Sequence, residues 1–473
     1  MARLTSDSRE IWPVASDSIH AVSINPATGE TFAQYPYQSP IAVEHSLAIA
    51  KRGAQELASW STSRRAEAML RMASLLRANR VELANLAARE MGKPVSQGRA
   101  EAEKCASLCA WCAEHGPGII ADENTQIGPQ AYVSYLPIGI VLGVMPWNFP
   151  FWQAMRGAAG ILFGGNGYVL KHAPNVMGCA YVLKGLWQEA GLPEGAFTVL
   201  NVRPEAIASV ISDDRIAAVA VTGSVRAGAS IASLSGASIK KTVLELGGSD
   251  PFIVLRDADI DRAVEAAVAA RFQNTGQVCI AAKRIILDGS IAEEFTARFL
   301  MAVANLIVGD PMSEETFIGP MARTDLRDEL HLQVEKSISE GANMLLGGRK
   351  LLGVGNYYTP TVLGDVRPGM TAFREETFGP VASLIIAQDA DDAVRLANDS
   401  EFGLSASIWS RDSAGAKALA RRIHTGGVFI NGYGASDPRV PIGGVKRSGY
   451  GRELSHFGIK EFLNAQTVWL DRR

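Results

Sequence analysis

The run Leu136-Pro137-Ile138-Gly139-Ile140-Val141-Leu142-Gly143-Val144 reads first as an edge strand and then, past Gly139, as a strand that is apolar at every position. A strand without polar alternation must be covered on both faces, the condition met in a parallel sheet flanked by helices. The chain beyond it keeps that rhythm. Val169-Leu170-Lys171, Phe197-Thr198-Val199-Leu200, Ala217-Ala218-Val219-Ala220-Val221 and Lys241-Thr242-Val243-Leu244-Glu245 are short β-rich runs separated by helical periods, which predicts an α/β fold. A second α/β segment follows Cys279, with strands expected over Lys283-Arg284-Ile285-Ile286-Leu287 and Phe378 to Ile386.

Upstream, residues 21 to 34 carry Asn-Pro and Thr-Gly between two short apolar runs and predict a hairpin. From Ile41 to His115 the spacing is helical, interrupted once by Gly92-Lys93-Pro94. At the other end, Gln466-Thr467-Val468-Trp469-Leu470 reads as a last strand with no neighbour in sequence, which suggests pairing across a subunit interface.

A chain of 473 residues exceeds a single core and predicts two or three domains. Net charge is −3, and the basic pairs Lys240-Lys241 and Arg421-Arg422 are scattered, so no nucleic-acid partner is expected. Met1 to Glu10 lacks the apolar core of a secretory signal. No apolar run is long enough to span a bilayer; no membrane association and a cytoplasmic location are the expectations. Five cysteines suit a reducing compartment. Cys105, Cys109 and Cys112, with His115 beyond, fall on one helical face. Zinc ligands usually come from two separate knuckles, so these read as buried packing, and no metal is expected.

Thr275-Gly276-Gln277-Val278-Cys279 offers a different thiol, among glycine and small polar residues that leave room for a substrate. A thiol attacks a carbonyl as thiolate and then needs a base; Glu245, in Val243-Leu244-Glu245-Leu246-Gly247-Gly248, is a candidate. Taken alone Cys279 could equally be a small packed residue. No G-x-G-x-x-G occurs. Its nearest substitute is Val219-Ala220-Val221-Thr222-Gly223-Ser224-Val225-Arg226-Ala227-Gly228, a strand, a turn and a helix start whose N–H groups can receive phosphate. In Pro146-Trp147-Asn148-Phe149-Pro150-Phe151-Trp152, Pro150 suits a first helical turn. Asn148 then lies at the helix mouth, either as a cap or as a donor to a developing oxyanion. Trp152 and Arg156 share a face of that helix.

With Asn148, Lys171, Gly223-Ser224, Glu245, Cys279 and Glu375-Glu376-Thr377-Phe378-Gly379-Pro380 in this order, the sequence resembles the aldehyde dehydrogenase superfamily over nearly its whole length. The resemblance implies two Rossmann-type α/β domains and a small β arm for oligomerisation. Residues 1–120 and 139–247 would bind the dinucleotide, 248–445 would carry the thiol, and 121–138 with 446–473 would form the arm of a homodimer or homotetramer. It also implies roles. Cys279 would form a thiohemiacetal, Asn148 and the Cys279 N–H would hold the oxyanion, and Glu245 would activate water to hydrolyse the thioester. Trp147, Lys171, Pro174, Gly223, Ser224, Leu246, Glu376 and Phe378 would contact NAD or NADP. Many NAD-preferring relatives carry a glutamate three residues after the lysine. Here Lys171-His172-Ala173-Pro174 has none, leaving the choice of NAD or NADP open.

Among the branches of the superfamily, Phe151 to Arg156, Lys171 to Val176 and the Gly432 to Gly444 loop containing Ser436 most resemble the bacterial succinate-semialdehyde dehydrogenases of the short, Sad-like kind. Trp152, Arg156 and Ser436 would then meet the substrate, Arg156 through a two-pronged bond to its distal carboxylate. A broader aliphatic or dicarboxylic semialdehyde dehydrogenase, glutarate semialdehyde included, is the alternative, and a cysteine hydrolase is the reading from another class.

Overall fold

The computed structural model describes residues 19–470; the Met1 to Glu10 segment lies outside them. The chain opens on an antiparallel hairpin of β1 (His20–Ile24) and β2 (Thr31–Pro36). Four helices follow: α1 (Pro40–Ala58), α2 (Thr62–Ala78), α3 (Arg80–Met91) and α4 (Val95–Ile119). The helical stretch is therefore broken three times rather than once. Ser39 and Ser61 cap α1 and α2 through their hydroxyls, while Gly92 at φ 79° ends α3.

A long strand, β4 (Gly128–Pro137), pairs with β3 (Glu123–Thr125) on one side. The chain then enters a six-stranded sheet made of β5 (Ile140–Val144), β6 (Gly167–Lys171), β7 (Phe197–Val199), β8 (Ile216–Thr222) and β9 (Lys241–Glu245), with the two-residue β17 (Gly449–Tyr450) at one edge. The order is β17-β9-β8-β5-β6-β7, parallel except for β17. Alternation along β8 shows why it is buried on both sides: Ala218 and Ala220 join one core, Val219 and Val221 the other. Helix α5 (Trp152–Phe163) lies on the first of these faces with all twelve residues buried, Gln153 and Arg156 included.

The second sheet runs β12 (Asn343–Leu346), β13 (Thr361–Gly364), β14 (Val381–Ala387), β11 (Arg284–Asp288), β10 (Pro251–Val254), β15 (Ser405–Trp409) and β16 (Gly427–Ile430), parallel except for β12. It too has a core on each face, Ile253, Ile286 and Ile385 on one side and Phe252, Ile285 and Leu384 on the other.

Two features differ from the sequence expectation. The chain after 446 does not go directly into the arm: β17 pairs with β9, Gly449 opposite Glu245, and the helix Ser455–Glu461 packs Ile459 into the core around α5. Only β18 (Leu463–Trp469) joins the arm, and it has a neighbour in its own chain, pairing with β4 along its full length. Its other edge is open in the order β18-β4-β3. No helix among the described residues is long and apolar enough to cross a membrane.

Candidate active site

The strand order of the first sheet reverses between β5 and β8, since β6 continues to one side of β5 and β8 lies on the other. Loops leaving the carboxyl ends of strands diverge at such a point and open a crevice. Here the loop after β5 carries Pro146, Trp147 and Asn148, and the loop after β8 carries Gly223 and Ser224. All five line one cavity, together with Leu246, Cys279, Glu376 and Phe378. Trp147 and Phe378 meet edge to face, centroids 5.8 Å apart. Ser224 caps the next helix by accepting from the Ala227 N–H at 3.2 Å, so the positive end of that helix faces the crevice.

Of the five cysteines, Cys105, Cys109, Cys112 and Cys179 are buried and only Cys279 is partly exposed. The first three pack in the core beside α5. Among the described residues no group of histidines, cysteines and acids is placed to hold a metal. Cys279 sits on an unusual loop: Asn274, Thr275 and Gly276 all have positive φ, at 54°, 58° and 68°. A Cβ on Gly276 would come within 2.3 Å of the Gly379 carbonyl, so the close approach of the two loops requires glycine there. Arg271 locks that approach. Fully buried, it donates to the carbonyls of Gly276 at 3.2 Å and Thr377 at 2.9 Å, and to that of Gly379. Its burial draws its pKa down to about 9.

Lys283 makes a second tie. Its buried ammonium donates to the carbonyls of Val278 at 2.9 Å and Cys279 at 2.6 Å, and pairs with Glu376 at 3.1 Å. The Gly248 N–H also donates to Glu376, at 3.1 Å. Burial pushes the Cys279 thiol up to about 11, against the pull of Arg156 and Lys283, so at neutral pH the resting site holds a thiol.

Asn148 is buried, and its side-chain amide donates one N–H to the Gln277 carbonyl at 3.0 Å. Its second N–H is the one left for an oxygen in the cavity. The helix begins slightly later than the sequence suggested: Pro150 precedes α5, although the Gln153 N–H already bonds to the Phe149 carbonyl at 2.9 Å. His172 fixes this loop from below. The Ala173 N–H donates to its Nδ1 at 3.0 Å, leaving Nε2 to donate to the Pro150 carbonyl at 2.8 Å. Burial draws its pKa down to about 4, so it stays neutral.

Glu245 ends β9 and is buried. Burial raises its carboxyl to about 8; Arg156 opposes this and Glu453 adds to it. One of its oxygens has no hydrogen-bond partner, and the other lies 3.8 Å from Arg156, the posture of a carboxyl held ready for a proton.

Trp152, Arg156 and Ser436 all line a second cavity, with Gln153, Tyr433 and Cys279. Gln153 and Cys279 belong to both cavities, so the thiol stands where the two meet. Arg156 already has a carboxylate: it is paired with Glu453 and donates to the Thr222 hydroxyl at 3.2 Å. That ion pair engages its Nε, and the guanidinium still lines the cavity. Lys171 is buried at the end of β6, and Pro174 starts a short turn after it; both lie one strand further along the crevice, outside the cavity that holds Cys279.

Arg271, Lys283 and Gln153 were not identified from the sequence. An arginine in a helix and a lysine starting a strand read as solvated charges, and only their burial reveals them as ties.

The chain is 57% identical over 96% of its length, and 98% of the relative's, to the succinate semialdehyde dehydrogenase [NAD(P)+] Sad of Escherichia coli. It is 47% identical over 95% of its length, and 99% of the relative's, to a probable succinate-semialdehyde dehydrogenase [NADP(+)] of Synechocystis sp.. Among solved structures, the succinic semialdehyde dehydrogenase from Streptococcus pyogenes in complex with NADP+ superposes with a TM-score of 0.93 at 32% identity, covering 95% of this chain and all of that one. The aldehyde dehydrogenase family model matches residues 13–468, and with the Cys279 thiol and the Asn148 amide lining one cavity at the crevice, the chain belongs to the aldehyde dehydrogenase family.

Proposed function

We propose that this chain oxidises succinate semialdehyde to succinate with NAD or NADP as hydride acceptor. The observation that carries the reading is the position of Cys279 at the junction of two cavities, one lined by loops of the switch point and the other by Trp152 and Ser436. The first suits a dinucleotide. It has a helix start for phosphate and the Glu376 carboxylate for ribose hydroxyls, and one strand further along the crevice Pro174 offers no acid to repel a 2′-phosphate. The second leaves the opposite face of the thiol for the aldehyde. The names borne by the Escherichia coli and Synechocystis relatives point to the same substrate.

In this mechanism the Cys279 sulfur adds to the aldehyde carbon, and the thiol proton passes to solvent water. The Asn148 N–H stabilises the oxygen as it gains charge, a contribution of about 10²- to 10³-fold in similar sites. The bound nicotinamide supplies the acceptor for the hydride that leaves this carbon. The thioester on Cys279 is then attacked by water; Glu245 takes the water proton, the C–S bond breaks and the acid departs. Arg271 and Lys283 keep the Cys279 loop and Glu376 in one frame, so that both cavities address the same sulfur.

The division into domains follows the same logic. The six-stranded unit would bind the cofactor, the seven-stranded unit would carry the nucleophile, and the β3–β4–β18 sheet would pair with a second copy in a homodimer or homotetramer. Exposed Trp469 and Leu470 at its open edge support that last role. A cytoplasmic location fits an enzyme with a thiol nucleophile. Initial rates with succinate semialdehyde, glutarate semialdehyde and butanal, each with NAD and NADP, test the reading. The highest kcat/KM is expected for succinate semialdehyde, and a preference for butanal would refute it.

A further inference from the structure

The second cavity contains charges that cancel and one that does not. Glu101 is consumed: it pairs with buried Lys93 and accepts the N–H groups of Phe151 at 2.9 Å and Trp152 at 2.8 Å, at the start of α5. Arg156 is paired with Glu453 through its Nε. Asp437, beside Ser436, holds Arg439 through two bonds of 2.8 and 2.7 Å. Lys104 is different. It reaches the cavity from α4, three residues after Glu101. It donates to Ser436 Oγ at 2.7 Å and lies 4.4 Å from the centre of the Trp152 ring. It has no ion-pair partner among the described residues. Burial, with the nearby Arg156 adding to it and Glu101 opposing it, lowers its pKa to about 8, the response of a desolvated ammonium with no carboxylate at ion-pair distance among the described residues.

A mostly desolvated cation facing a substrate cavity is a site for an anion. Because Ser436 Oγ accepts from Lys104, its own O–H remains free to donate. The two side chains therefore present an ammonium and a hydroxyl together, while the indole face of Trp152 holds the ammonium in place.

We propose that Lys104, positioned by Ser436 and Trp152, binds the carboxylate at the far end of the substrate and sets the preference for carboxylated over uncharged aldehydes. The inference rests on the function proposed above and extends it by adding Lys104 of α4 to charge recognition in the cavity that Arg156 also lines. A carboxylate there would replace water around the ammonium with a charge-assisted hydrogen bond.

The test compares the wild type, Lys104→Met, Lys104→Arg and Ser436→Ala on succinate semialdehyde and on butanal, of equal length without the charge. For Lys104→Met, KM for the semialdehyde should rise about 10- to 100-fold, the loss of a hydrogen bond to a charged group. KM for butanal and kcat for both should stay within about twofold, since uncharged substrate makes no use of the ammonium. Lys104→Arg should restore most of the preference, and Ser436→Ala should lose a smaller part of it. Inhibition by succinate in the butanal assay gives a second readout and should weaken in parallel in Lys104→Met and Ser436→Ala. A wild type that favours the semialdehyde while Lys104→Met keeps that preference, or loses both substrates equally, overturns the assignment and leaves the proposed function standing. A wild type that does not discriminate between the two aldehydes overturns both.

Discussion

Replacing Glu245 by glutamine removes the base and keeps the shape, and the structure specifies what should follow. Burial raises this carboxyl to about 8, with Glu453 pushing further and Arg156 pulling back. A group of that pKa is ionised in only about a tenth of the molecules at pH 7. Hydrolysis of the thioester should therefore climb about tenfold between pH 7 and pH 9 with a midpoint near 8, because only the ionised carboxylate accepts the water proton. In Glu245→Gln that limb should vanish, and steady-state turnover should fall by about 10²- to 10⁴-fold, the usual contribution of a positioned base. Acylation does not require water, so rapid mixing of the variant with aldehyde and cofactor should still show a burst of reduced nicotinamide, one equivalent per active site. Stopped-flow absorbance separates the two phases. A variant that turns over within threefold of the wild type, or retains the pH limb near 8, would refute the assignment.

Asn148→Ala should lower kcat by about 10²- to 10³-fold while changing cofactor affinity little, since its free amide N–H serves a charge that develops only during reaction; steady-state kinetics with a cofactor titration checks this. Lys93→Met leaves Glu101 buried without its cation and should cost about 3 to 5 kcal/mol of stability, read from the urea midpoint. Gly276→Ala forces a Cβ against the Gly379 carbonyl at 2.3 Å, so the Cys279 loop must shift and turnover should drop with the fold intact by circular dichroism; an unchanged kcat would show that the loop tolerates the shift.

The first sheet was legible in the sequence because β5, β6, β8 and β9 are β-rich runs of five to seven residues between clear helical periods. In the second sheet β11 and β14 were equally plain. β10, β13, β15 and β16 were not: they are only four or five residues long and begin or end on Pro251, Thr361, Gly364, Ser405 and Gly427, which leaves too few β-rich positions to mark a strand. The break between α2 and α3 is a single residue, Asn79, too brief a signal against two strong helical patterns. Cys279, Asn148 and Glu376 could be found because each sits in a recognisable local motif. The pairing of Arg156 with Glu453 spans the chain from α5 to the segment after β17, and no spacing in the sequence encodes it. Lys104 stands on a charged helix, and no spacing in the sequence encodes its turn toward Ser436.

The most direct measurement is mass spectrometry of the acid-quenched burst, made on Glu245→Gln with succinate semialdehyde and cofactor so that the acyl enzyme accumulates. The peptide carrying Cys279 should gain the mass of one succinyl group, and the gain should disappear when Cys279 is also replaced by alanine. A burst of reduced nicotinamide with no adduct on that peptide, or with the adduct on another residue, would contradict the account.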